Sequence, residues 1–219
     1  MNFIFDMDGV LINSEPLHAR SRLAVLESVG VSTDMDMSSV IGSSTLAFWE
    51  NMIIKFGLDA SAVNLERIQM ALLIEMMKKE KCQPPEGLFQ LLDELEGMGV
   101  VMAVGSSSRR MLVEPVLEYL GIASRFKAVV TGDDVENLKP APDIYLLAME
   151  RIGADKSKTV ALEDSRMGVQ AALAAGIPCI GYSNPTSPGQ DLSAATYRID
   201  SLSQVLDLRR GNRWLWETG

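Results

Sequence analysis

The chain has 219 residues, 29 acids against 20 bases and a net charge of −9. No basic stripe is present to meet a nucleic-acid backbone, which excludes that class of partner, and 47% hydrophobic content excludes a disordered chain. One histidine, His18, and two cysteines outside any CxxC spacing exclude His-rich metal sites, zinc or redox pairs and a disulfide framework. No apolar run reaches the roughly 20 residues of a membrane span. The opening MNFIFDMDG carries acids where a signal peptide is apolar, so a cytoplasmic protein is expected.

Four short β-branched runs read as strands buried on both faces: Asn2–Phe5, 100–104, Ala128–Val130 and 159–162. Helical periods separate the later ones. Val113, Val116, Leu117 and Leu120 follow i, i+3, i+4, i+7 before Gly121. Ile144, Leu147, Ala148 and Ile152 precede Gly153, and Val169, Ala172 and Leu173 precede Gly176. A further strand is expected over 177–180, with Pro178 near its start. Strand and helix alternation of this kind predicts an α/β fold with a parallel sheet and right-handed crossovers.

One interval breaks the rhythm. Between Gly9 and Gly99 lies far more chain than the ~10–15 helical residues of one crossover. Residues 17–29 are amphipathic, and Met70, Leu73, Ile74 and Met77 again show helical spacing. Pro84 and Pro85 close the interval. The expected organisation is a core of residues 1–13 and 86–219 with a helical module, residues 14–85, inserted after the first strand. The methionines of that module are read as core filling, as are Phe48 and Trp49.

In a doubly wound sheet, ligands bind beyond the carboxyl ends of the strands. Asp6 and Asp8 follow the first strand. Gly105 and Ser106, Ser107 and Ser108 follow the second, Thr131 to Asp133 and then Lys139 the third, and Glu163 and Asp164 the fourth. Four carboxylates at one edge repel one another strongly in a low dielectric, and a hard divalent cation such as Mg²⁺ relieves that. Asp6, fixed by the strand, suits a nucleophile attacking phosphorus in line. Asp8 suits a general acid and base. Ser106, Ser107 and neighbouring N–H groups suit the phosphoryl oxygens, with the helix start near Arg109. Lys139 suits charge neutralisation. Glu163 and Asp164 complete the metal site.

FDMDGVLINSEPLH, VGSSS, LKPAPDIY and LEDSRMGVQAALAAG, in that order, resemble the haloacid dehalogenase superfamily, and within it the β-phosphoglucomutase-like phosphatase and phosphomutase branch. The resemblance covers essentially the whole chain. It implies a Rossmann-like core with a four-helix cap of the C1 type. It also implies an aspartyl-phosphate on Asp6, and Mg²⁺ bound by Asp6, the Asp8 backbone carbonyl and Asp164 with Glu163 assisting. Dehalogenases of this superfamily lack an acid two residues after the nucleophile, so Asp8 favours phosphoryl transfer. In the mutase pattern the first cap loop carries a Lys-Gly pair and an Arg that clamps a second phosphate. Here Gly42 fits, but Ile41 stands in the Lys place and Thr45 in the Arg place, which weakens the hold on a bisphosphate. Ser14 and His18 match the mutase-like hinge, where the His orients the acid/base Asp, and Arg109 stands where that pattern has a phosphate-binding Lys. The resulting expectation is a monomeric, Mg²⁺-dependent phosphatase of a small phosphorylated metabolite, a sugar or polyol phosphate. A phosphohexomutase is the rival reading and a non-catalytic phosphate-binding regulator a more distant one.

Overall fold

In the chain's first strand, β1 (Asn2–Phe5), Phe3, Ile4 and Phe5 are fully buried, and their side chains alternate between two faces. Such burial on both sides requires a strand in the middle of a covered sheet. In the computed structural model, which describes every residue except 36, 38–43, 212 and 217–219, β1 holds that place. Three helices follow it: α1 (Glu15–Ser28), α2 (Thr45–Phe56) and α3 (Ala62–Glu80). Then come α4 (Leu88–Gly97), β2 (Val101–Gly105), α5 (Arg110–Tyr119), β3 (Ala128–Val130), α6 (Asp143–Ile152), β4 (Thr159–Glu163), α7 (Arg166–Ala174), β5 (Cys179–Tyr182) and β6 (Tyr197–Ile199).

The six strands form one parallel sheet in the order β3-β2-β1-β4-β5-β6. The register pairs Phe5 with Val104 on one side and with Leu162 on the other. The chain winds outward from β1 through β2 to β3, then starts again at β4. The strand order therefore switches between β1 and β4, the point where such sheets open a crevice.

Ile4 faces one side with Ala103, Val130 and Ala161, under a layer that includes Ile144, Tyr145 and Ala148 of α6 and Val169 and Ala172 of α7. Phe3 and Phe5 face the other. There Phe3 meets the edges of Trp214 at 5.1 Å and Trp216 at 5.8 Å, and Phe5 meets Phe126 at 5.9 Å. A two-stranded antiparallel ribbon, β7 (Arg209–Arg210) and β8 (Arg213–Trp214), carries Trp214, and Trp216 follows two residues on. The strand expected over 177–180 begins at Cys179. The Pro178 carbonyl still accepts from Ala161 N–H at 3.0 Å. β6 and the ribbon were not expected from sequence, because two or three residues are too short to display a period.

The chain divides into two compact units: Met1–Asn13 with Gln83–Gly219, and Ser14–Cys82. The second unit thus ends at Cys82, whereas the sequence pattern suggested residue 85. Asn13 N–H donates to the Gln83 carbonyl at 3.4 Å, so the two connecting strands of chain touch within the first unit. In the second unit α3 packs against both α1 and α2. Its interior includes Val25, Leu26, Met37, Phe48, Trp49, Met52 and Leu65. Two of the methionines, Met37 and Met52, fill this core as expected. The Trp49 indole N–H is satisfied by Gln69 Oε1 at 2.8 Å, and the Arg22 guanidinium lies 4.9 Å over the Phe48 ring. Among the described residues no helix is long and apolar enough to cross a membrane.

Candidate active site

The backbone N–H of Asp6 donates to Leu162 O at 3.0 Å, so the β1–β4 ladder extends one residue past the strand and fixes this carboxylate at the switch point. The chain then turns at once. Met7 O accepts from Leu11 N–H at 2.8 Å, and Gly9 N–H donates to Ile12 O at 2.8 Å. Gly9 has φ +79°, and a Cβ there would fall onto the Asp164 carboxylate. A glycine is required at this place both for its backbone and for the closeness of that acid. The turn projects Asp8, whose Oδ2 accepts from Ser108 Oγ at 2.7 Å.

From β2, Ser106 N–H donates to Val130 O at 3.0 Å, and Ser106 Oγ accepts from Ser108 N–H at 3.0 Å. This serine turn leads into α5. Ser107 Oγ is buried with no hydrogen-bond partner, a donor held ready inside the turn. Arg109 sits at the N-cap of α5 and pairs with Asp133 at 2.7 Å, while the other Asp133 oxygen accepts from Arg110 N–H at 2.8 Å. Asp133 thus caps the helix and holds Arg109 together.

Lys139 is buried, and its Nζ donates to Asp6 Oδ1 and to Glu163 Oε1, each at 2.5 Å. Its ammonium also lies 5.1 Å from the Tyr145 ring centre. Glu163 is fully buried at the end of β4. Its Oε1 also accepts from the Tyr145 hydroxyl at 2.7 Å, and its Oε2 accepts from Ser165 N–H at 3.3 Å and Ser165 Oγ at 3.0 Å. A Cβ on Gly168 would strike this carboxylate, so α7 opens with a glycine against it. Ser165, not either acid, caps α7, accepting from Gly168 N–H at 3.0 Å.

Asp6, Glu163 and Asp164, all buried, each offer an oxygen within 4.8 Å of the others. Burial first, then the charges of Glu163 and Asp8, push the Asp6 carboxyl up to about 8 against the opposing pull of Lys139. Burial alone would lower Lys139, but Asp6 and Glu163 outweigh it and hold the ammonium charged. One buried lysine does not balance this many acids. The shortfall and the all-oxygen donor set fit a hard divalent cation. Glu163 already accepts four hydrogen bonds, so it suits holding Lys139 better than direct ligation. Asp6 and Asp164 are the more direct donors.

The structure therefore gathers Asp6, Glu163, Asp164 and Lys139 at one place. Asp8 and Ser106 stand on the adjoining turns. His18 and Thr45 belong to the helical unit: His18 Nδ1 is 3.5 Å from Gln69 Nε2, and Thr45 is the first residue of α2, after the N-cap Ser44. Gly42 lies outside the described residues. Sequence reading passed over the hydrogen bond from Ser108 to Asp8, and the part taken by Tyr145. The serine run was a visible signal for the first. The second had none, since Tyr145 stands where the helical period asks only for an apolar residue. Tyr145→Phe removes a donor from a buried carboxylate and is expected to lower unfolding free energy by about 1.5–3 kcal/mol, read from urea unfolding.

Residues 3–182 match the model of the haloacid dehalogenase-like hydrolase family. Over 190 residues the chain is 36% identical to the chloroplastic protein SUPPRESSOR OF QUENCHING 1 of Arabidopsis thaliana, covering 84% of this chain and 18% of that much longer protein. Over 189 residues it is 33% identical to the fructose-1-phosphate phosphatase YqaB of Escherichia coli, covering 81% of this chain and 93% of that one. The crystal structure of CbbY from Rhodobacter sphaeroides with phosphate superposes with a TM-score of 0.84 at 24% identity, covering 93% of this chain and 95% of that one. This last likeness is one of fold. The chain belongs to the haloacid dehalogenase-like hydrolase family and is an enzyme of that hydrolase class.

Proposed function

We propose that this protein is a phosphatase that hydrolyses a small phosphomonoester, a sugar or polyol phosphate, through an aspartyl-phosphate on Asp6. The observation that carries the reading is the pair of acids two residues apart at the switch point. Asp6 is rigid and lysine-bound, and Asp8 is turned onto Ser108. The family match and the likeness to a fructose-1-phosphate phosphatase support it.

In the first step an Asp6 oxygen attacks phosphorus in line. The bond from phosphorus to the leaving oxygen breaks, its electron pair goes to that oxygen, and Asp8 supplies the proton. In the second step water attacks phosphorus, and the Asp8 carboxylate takes its proton. The bond from phosphorus to Asp6 breaks, and phosphate leaves. Ser106, Ser107 and the N–H groups of their turn hold the phosphoryl oxygens. Lys139 balances the charge on Asp6 and on the transferring group, and Glu163 holds Lys139. Asp6, Asp164 and the Asp8 backbone carbonyl, with Glu163 assisting, would hold Mg²⁺, which would supply Lewis-acid neutralisation of the phosphoryl oxygens. The helical unit serves as the substrate-selecting cap, His18, Gly42 and Thr45 are its candidate substrate-binding residues, and the phosphate-binding role of Arg109 is secondary to its pairing with Asp133. The protein works as a monomer in the cytoplasm.

The test is phosphate release from a panel of phosphomonoesters with Mg²⁺, including fructose 1-phosphate and β-glucose 1-phosphate with and without its bisphosphate. Release from a sugar phosphate is expected. Isomerisation of β-glucose 1-phosphate without phosphate release would make the enzyme a mutase, and inertness toward the whole panel would overturn the reading. Gly9→Ala, which drives a methyl group into the Asp164 carboxylate, is expected to weaken Mg²⁺ activation about 10- to 100-fold, measured as the Mg²⁺ concentration for half-maximal turnover.

A further inference from the structure

Asn184 stands two residues beyond β5, is 5% exposed, and takes no part in the chemistry above. Both ends of its carboxamide are engaged. Nδ2 donates to the Gly9 carbonyl at 2.5 Å and to Asn13 Oδ1 at 2.9 Å. Oδ1 accepts from Thr186 N–H at 2.7 Å and from Thr186 Oγ1 at 2.8 Å. These partners leave one orientation. A flipped amide would set Oδ1 against the Gly9 carbonyl and its own N–H groups against the Thr186 N–H.

The peptide group so gripped joins Gly9 to Val10, the next along the turn after the one that joins Asp8 to Gly9. On its other side Gly9 abuts the Asp164 carboxylate, with no room for a Cβ. The Gly9 N–H is tied to Ile12 O. The turn that projects Asp8 is therefore fixed at three points, and one of them comes from a residue 175 positions away in sequence. Among the partners of this turn described here, Asn184 is the one supplied from beyond β5, and its two N–H groups reach both the turn and Asn13, the last residue before the chain leaves the first unit. We infer that Asn184 is a positioning residue for Asp8, holding the Gly9 carbonyl so that the acid meets the oxygen that leaves phosphorus. The inference rests on Asp8 being the proton donor in the proposed reaction.

That role has a readout that loss of fold does not share. An alkyl leaving oxygen needs the proton from Asp8, whereas p-nitrophenolate leaves without one. The ratio of kcat/KM for an alkyl phosphomonoester to kcat/KM for p-nitrophenyl phosphate is independent of how much of the enzyme is folded. The probe is fructose 1-phosphate, or the best alkyl substrate of the panel above. Asn184→Asp keeps the size of the side chain and its acceptor toward Thr186 but loses the donor toward Gly9. It is expected to lower this ratio about tenfold, and Asp8→Asn by on the order of 10²–10⁴. Equal loss on both substrates in Asn184→Asp, alongside a fall in Asp8→Asn, would overturn the inference alone. An unchanged ratio in Asp8→Asn would overturn the assignment of Asp8 and the inference with it. If Asn184→Asp yields no folded protein, Thr186→Val removes the hydroxyl that orients the carboxamide. The same fall, smaller, is then expected, and an unchanged ratio counts against the inference.

Discussion

Asp6→Asn is expected to reduce phosphate release by a factor on the order of 10³ or more, with the fold intact. The amide has the shape of the carboxylate and keeps an oxygen toward Lys139, but its nitrogen carries no nucleophilic lone pair. In the metal-free protein Asp6 keeps its proton up to about pH 8, so an amide in its place changes the charge of the buried site little, and that protein should be no less stable than the parent. Melting curves with and without Mg²⁺ check that half of the expectation. Acid quench of the native enzyme during turnover, followed by mass spectrometry, should find a phosphate adduct on the peptide containing Asp6 and none in the variant. Turnover close to that of the parent would remove Asp6 from the reaction.

Lys139→Met should be the most damaging change to the site as a whole. The lysine is the cation that both Asp6 and Glu163 touch, and removing one partner of a buried ion pair costs about 3–5 kcal/mol because the other charge stays behind. Activity should be lost with it. The pH dependence has a definite sign. In the metal-free protein Asp6 is raised from 3.8 to about 8, so between these values the native state holds a proton that the unfolded state has released. Stability therefore falls as pH rises through that window. Losing Lys139 removes an influence that lowers Asp6, which extends the window to higher pH and makes the total fall larger. Melting temperatures at pH 5 and pH 8 without metal should show a larger drop for the variant than for the parent. Added Mg²⁺, which binds the ionised acids, should restore the parent more at pH 8 than at pH 5. A flat profile in both proteins would mean the acids are not crowded.

The acids of this site were legible because each directly follows a buried apolar run. Asp6 and Asp8 after β1, and Glu163 and Asp164 at the end of β4, are marked by position as much as by type. Lys139 was legible through the motif around it. The partners that aim these groups were not. Three serines stand in a row after β2, and only the turn geometry selects Ser108 for Asp8. Tyr145 reads as one more apolar helix position, and its hydroxyl matters because α6 packs it over Glu163. Arg109 pairs with Asp133, a partner 24 residues away that no local pattern announces. The cover over Phe3 by Trp214 and Trp216 was equally hidden, since it joins two parts of the chain more than 200 residues apart, and no local pattern reports such a meeting.

The central place of β1 also orders events in time. This strand is made before both its neighbours, which are distant in sequence: Asn2 pairs with Val101 on one side and Thr159 on the other. At roughly 5–20 residues per second of synthesis, the nascent strand waits on the order of ten seconds for its second partner. Its three buried apolar residues must be shielded through that delay. Trp214 and Trp216 come later still, so the cover of Phe3 is completed more than 200 residues after Phe3 itself is made. Asp6 is thus made more than 150 residues before Leu162, whose carbonyl holds its backbone.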